Sequence, residues 1–253
     1  LALLPAGLWA GLSVGPLGTI QTFDTTPPVG DWSTLSVAGG GTTWADAAAV
    51  DAAVSALVAS TVTTALGTSA TLPPSANAIA RRNTALNLLV TKPTGNAGTY
   101  LMATLTNGSG GVLSSLPVNY VLGTAGTDTC DSISGHRTFF SMNGTTWTAI
   151  PEFTGGTAGA KAATLNLVSW AAGATMYIVW ADQNCNGSTD LAFTIDDFFA
   201  GEANVQATFI VEPKSTNAVQ GSTVTLTCQV GGSPPFTYQW LKNTTAITGQ
   251  TSS

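Results

Sequence analysis

The segment 182–190, DQNCNGSTD, places oxygen-bearing side chains at alternate positions. Asp182, Asn184 and Asn186 stand at positions 1, 3 and 5 of a calcium loop, Gly187 at its turn position and Asp190 at position 9. Carboxylate and amide oxygens are hard donors, and the glycine lets the backbone bend around an ion. Position 12 is Phe193 instead of a bidentate Glu, so the set needs another carboxylate, and Asp196 or Asp197 in FTIDDFF is the nearest. The candidate calcium ligands are thus Asp182, Asn184, Asn186, Asp190 and Asp196, with calcium the one cofactor in view. The same residues also make an ordinary turn between two strands without any metal.

Other chemistry is sparser. Asp196 and Asp197 are adjacent carboxylates, but neighbours on a strand face opposite sides and do not form an acid/base pair. His136 is the single histidine, which removes His-based zinc clusters, and no G-x-S-x-G elbow or G-x-x-x-x-G-K loop occurs. No enzymatic activity is expected. Seven tryptophans are many for so weakly charged a chain, and sugars stack on exposed indole faces. Trp147 and Trp170 lie near turns and are the candidate glycan-stacking residues. Trp180 alternates with Ile178 and Met176 and reads as core. Of three cysteines, Cys130 and Cys185 are the candidate disulfide, with two buried thiols as the alternative.

The composition bounds the setting. Only 8% of the 253 residues are charged and the net charge is −6, so the clustered cations that nucleic acid demands are missing. Hydrophobic residues at 44% suffice for a packed core. Outside the N-terminus no apolar run is long enough to cross a membrane. Residues 1–20 are apolar and uncharged and read as the later part of a truncated secretory signal peptide.

The elements that must position these residues are mostly strands. One Ala-rich helix is expected over Trp44–Ser60, with Val50, Val54, Leu57 and Val58 at helical spacing and Asp46 near its start. From residue 84 onward, alternating segments follow at 86–90, 100–105, 118–122, 137–142, 146–150, 164–168, 175–181 and 192–199. Asn143-Gly144 predicts a type I′ hairpin turn, and Ser141–Trp147 is similar to the structural Asp-box turn. The chain therefore reads as all-β. A jelly-roll-like β-sandwich with one inserted helix over 21–200 and a linker at 201–207 precede an incomplete immunoglobulin-like domain at 208–253.

The last assignment rests on VQGSTVTLTCQVGGSPPFTYQWL, in which Cys228 and Trp240 stand at the spacing of a strand-B cysteine and a strand-C core tryptophan. With Gly221-Ser222, Pro234-Pro235-Phe236 and Tyr238-Gln239, this stretch resembles bacterial immunoglobulin-like modules of the I-set type. The stretches ARRNTALNLLVTKPTGNAGTYLMATL and MYIVWADQNCNGSTDLAFTIDDFF resemble an uncharacterised β-sandwich domain at the start of large secreted or surface proteins of environmental bacteria. The resemblances imply a secreted or cell-surface location and a non-catalytic binding or adhesion module of a larger protein. Its expected partners are an extracellular glycan or a surface protein. The alternatives are a structural spacer that forms homopolymers, as in a filament or surface layer, and an accessory domain of an enzyme.

Overall fold

The computed structural model describes residues 11–75, 78–127, 133–185, 190–201, 208–214, 217–231 and 238–249. They fall into two compact units, 1–201 and 202–253.

Unit 1 is a sandwich of two sheets, with strands numbered in chain order. Sheet I contains β1 (Leu12–Val14), β3 (Trp32–Val37), β7 (Gly98–Asn107), β9 (Arg137–Ser141), β10 (Thr148–Ala149) and β12 (Thr175–Gln183). Its order is β1-β7-β12-β9-β10, and β3 shares with β1 the free side of β7. Sheet II contains β2 (Thr19–Gln21), β4 (Gly67–Ser69), β5 (Arg81–Asn83), β6 (Leu88–Thr91), β8 (Leu113–Ala125), β11 (Gly159–Trp170) and β13 (Ala192–Ala200). The order there is β11-β8-β13-β6-β5-β4, with β2 on the far end of β13. Each segment expected from residue 84 onward contains a strand, several of them longer than expected, but 86–90 is strand only from Leu88 and 146–150 only at Thr148–Ala149. The all-β sandwich read from the sequence is the fold.

Period-2 alternation decides what fills it. Met176, Ile178 and Trp180 of β12 point between the sheets and join Leu101, Leu105, Phe193 and Ile195. Trp180 lies stacked on Trp32 with centroids 5.6 Å apart, and Phe198 and Phe23 meet Trp32 edge-on. The intervening residues Val179 and Ala181 face outward, where helix α1 (Ala47–Ser55) covers them. The helix is shorter than the expected span at both ends: Asp46 caps its start, its Oδ1 accepting from Ala49 N at 2.9 Å, and the chain leaves the helix after Ser55. Val50, Val54 and Leu57 pack on Phe139, Val179 and Ala181, whereas Val58 lies past the helix end and is exposed. Arg137 grips Asp51 through both carboxylate oxygens and ties the helix to β9.

Three expectations change. Residues 11–20 are part of the sandwich: β1 runs parallel to β7, β2 antiparallel to β13, and Val14 is in the core. The signal-peptide reading therefore does not hold for 11–20, and 1–10 lie outside the described residues. The Asn143-Gly144 turn is not type I′, since only Gly144 has a positive φ (75°). Instead Asn143 Oδ1 accepts from Thr145 N and Thr146 N, and Ser141 Oγ accepts from Gly144 N, a side-chain-built turn between β9 and β10. Asp196 and Asp197 straddle a bulge, with Asp197 left-handed at φ 49°.

In unit 2, β14 (Thr208–Val211) pairs antiparallel with β15 (Gln229–Gly231), and β16 (Leu241–Lys242) pairs with β17 (Thr245–Ala246). Of the expected strand around Cys228, only 229–231 is in a ladder. Cys228 is a partly exposed free thiol, and Trp240 is half-buried. The linker residues 202–207 lie outside the described residues.

Candidate functional site

The outer face of sheet I is only partly covered by α1, and beside the helix it opens into a cavity of about 300 Å³. Alternation supplies the floor: Ser33 of β3, Met102 and Thr104 of β7, and Thr175 and Tyr177 of β12 all face outward. The walls are the turn at Val29-Gly30 and the segment Ala59–Thr63 that follows the helix. A short 3₁₀ turn at Ala59–Thr61 presents Ser60 and Thr63 to the cavity.

The lining is neutral, with no carboxylate, amine, imidazole or thiol. Its distinguishing property is unspent hydrogen-bonding capacity. Among the described residues, Ser33, Ser60, Thr63, Thr104, Thr175 and Tyr177 make no side-chain hydrogen bond within the protein. Ser33 and Thr104 are 2% and 7% exposed, so only the groove gives their hydroxyls access to a partner. Thr34, on the opposite face of the same strand, behaves normally: it donates to Tyr100 O at 2.8 Å and accepts from Ala80 N at 3.0 Å.

Two tight contacts hold the groove's shape. Ala59 N donates to Gly144 O at 2.7 Å, and a Cβ at Gly144 would sit 3.2 Å from the Tyr177 ring. The glycine in the β9–β10 turn thereby lets Tyr177 and the Ala59 wall close together. Trp147, from the same turn, is half-buried and donates Nε1–H to Leu57 O at 2.8 Å. It braces the helix end and does not line the groove. Trp170, the other expected glycan-stacking residue, is fully buried between the sheets, so no sugar can lie on its ring. That assignment is corrected.

The second polar concentration closes one end of the sandwich. Asp182 continues the inward row of Met176, Ile178 and Trp180, and Thr99 and Ser36 stand beside it on the neighbouring strands. Asp182 and Asp190 are both fully buried, and Asn184 nearly so. Asn184 Nδ2 donates to Asn96 O at 2.5 Å, and its backbone N to Ala97 O at 3.0 Å. Cys185 is disulfide-bonded. Cys130 and Asn186, expected as its partner and as a calcium ligand, lie outside the described residues. Asp196 is not brought to this loop. β13 carries it to the outward face of sheet II, where burial, and beyond it the Asp197 and Asp24 carboxylates, push its own carboxyl above the usual range.

His136 is also buried near this end, its Nε2 2.9 Å from Thr91 Oγ1 and its ring edge-on to Phe193. Desolvation, and to a smaller extent the charge of Lys161, lowers its pKa to about 3, so it is neutral in the fold. Sequence reasoning missed Tyr177 and the groove hydroxyls. The alternation that assigns Trp180 to the core also sends Tyr177 outward, which is the one signal the sequence holds for it.

No curated protein matches the chain. Among solved structures it is similar to the Agl-KA catalytic domain at 13% identity and TM-score 0.30, covering 83% of this chain and 31% of that one. It is also similar to the K3 cleaved adhesin domain of Lys-gingipain from Porphyromonas gingivalis w83, at 16% identity and TM-score 0.29, covering 73% and 98%. The chain thus spans about a third of the length of the first. At such TM-scores neither likeness assigns a fold or an activity. Residues 208–253 match the family model of the immunoglobulin domain, which agrees with the resemblance carried by Cys228 and Trp240.

Proposed function

We propose that unit 1 is a non-catalytic extracellular binding module that seats a neutral, hydroxyl-rich ligand, a glycan by chemical class, in the groove on sheet I. The observation that carries this reading is the pair of nearly buried groove hydroxyls, Ser33 and Thr104, that have no partner in the protein and reach solvent only through the groove, whose rim adds the exposed hydroxyls of Ser60 and Thr63. A polar group withdrawn from bulk water and left unpaired costs about 1–3 kcal/mol, so such groups persist where water or a ligand completes them. Sugar hydroxyls replace water in those bonds, while the apolar face of a sugar ring fits Tyr177 and Met102 on the floor. The neutral lining suits an uncharged glycan. The disulfide at Cys185 and the immunoglobulin match at 208–253 support a setting outside the cytosol.

The test is retention of the full chain on insoluble polysaccharides and on a glycan array, beside the Tyr177→Ala variant. The reading expects at least one neutral glycan to retain the wild type and the variant to bind roughly tenfold more weakly. If no glycan retains the wild type, the reading is wrong.

A further inference from the structure

The groove floor continues one residue past its lining and ends on a charge. Thr104 N donates to Asp31 O at 2.8 Å, so the β3–β7 pairing, which sets Trp32 opposite Ala103 and Ser33 opposite Met102, extends to Asp31 opposite Thr104. Trp32 points between the sheets, and alternation therefore sends Asp31 to the outer face beside Ser33. Tyr177 stands opposite Thr104 on its other side, so Asp31, Thr104 and Tyr177 form one row across β3, β7 and β12. Residues directly opposite in such a row hold their Cβ atoms about 5 Å apart. The chain on either side of Asp31 also meets the groove, through Val29-Gly30 and through Ser33. Asp31 is the only carboxylate on that row or next in the chain to a groove residue.

The Asp31 side chain is partly buried and makes no hydrogen bond or ion pair with any described residue. Loss of hydration pushes its carboxyl above the usual range. A carboxylate so placed gains from donors that a ligand brings, and two adjacent sugar hydroxyls match its two oxygens. The unpaired hydroxyls of Ser33 and Thr104 beside it suit the same partner, a polyol. We propose that Asp31 is the specificity-determining residue of the groove, its carboxylate accepting from two adjacent hydroxyls of a sugar seated on Thr104 and Tyr177. The assignment rests on the glycan reading of the groove and adds a selection to it. The one charge beside the groove is negative, so sugars that carry a carboxylate are turned away.

The test is an array of the hexasaccharides of glucose, mannose, galactose and N-acetylglucosamine, each beside its oxidised form, in which every primary alcohol is a carboxylate. It is probed with the full chain as wild type, Asp31→Asn and Asp197→Asn. The wild type should bind a neutral chain roughly tenfold more tightly than its oxidised form. Asp31→Asn should bind that neutral chain roughly tenfold more weakly, because a charged acceptor becomes a neutral one, and should narrow the gap between the two forms. Asp197→Asn makes the same change of charge on sheet II and should bind as the wild type does. In thermal melts Asp31→Asn should be no less stable than the wild type, since it removes a charge without a partner in the fold. A loss of stability would mark the carboxylate as structural and overturn the proposal. Equal binding by Asp31→Asn and the wild type also overturns it, while the glycan reading stands. If the wild type binds none of these chains the assignment is overturned, and retention on the insoluble polysaccharides then shows whether the glycan reading fails with it.

Discussion

Replacing His136 by Gln should flatten the acid side of the stability profile. The imidazole is fully buried, and its pKa falls from 6.5 to about 3, mainly through desolvation and further through Lys161. In the folded protein it is therefore neutral at pH 5, whereas in the unfolded chain it is protonated. The sign follows from the depressed folded value. Its contribution is complete above pH 6.5 and is lost as the pH falls from there toward 3, because the unfolded state then binds the extra proton. At about 1.4 kcal/mol per pKa unit, the loss between pH 7 and pH 5 is about 2 kcal/mol, and it approaches about 5 kcal/mol near pH 3. For a domain of this size, about 2 kcal/mol lowers the melting temperature by roughly 4–8 °C. Gln keeps a polar group for Thr91 Oγ1 and does not titrate. The raised carboxyls of Asp31 and Asp196 act in the opposite sense, but they are shared by both proteins and cancel in the difference. The assay is thermal unfolding of the wild type and His136→Gln at pH 7 and pH 5. Parallel losses in the two proteins would refute the reasoning, since the histidine would then carry no proton linkage.

Two further outcomes test the packing and the cysteines. Gly98→Ala would place a Cβ 2.3 Å from the Trp44 ring and 2.5 Å from Asp182 O, and should cost about 1–3 kcal/mol in denaturant melts. Alkylation of the unfolded chain should label one thiol, Cys228, before reduction and all three cysteines after it, with non-reducing peptide maps linking Cys130 to Cys185.

The strands were legible because each carries a local period. In β12 the alternation of Met176, Ile178 and Trp180 is enough to assign both the element and its buried face. The first strands were not, because Leu12–Val14 and Thr19–Gln21 are three residues each, within an apolar stretch that a leader peptide would share. Their positions depend on partners at the far ends of β7 and β13. Trp170 shows the limit for a site. Its nearness to a turn suggested exposure, yet the turn folds back and β11 delivers the ring to the core. The groove is the converse case, since Ser33, Thr104 and Tyr177 come from three strands and the Ala59–Thr63 wall from a fourth segment. No spacing in the chain announces them. The loop 182–190 was legible as a polar turn, but that Asp182 is buried follows only from its place opposite Thr99 in the β7–β12 register.

The central claim is that the groove on sheet I is where ligand sits, and methyl NMR of the three methionines reads it directly. Met102 is on the groove floor, Met176 is in the core between the sheets, and Met142 packs against that core from its edge. On titration with a neutral oligosaccharide that retains the full chain, the Met102 methyl should move progressively while Met176 and Met142 stay in place. An oligosaccharide that binds and leaves Met102 unmoved would contradict the account.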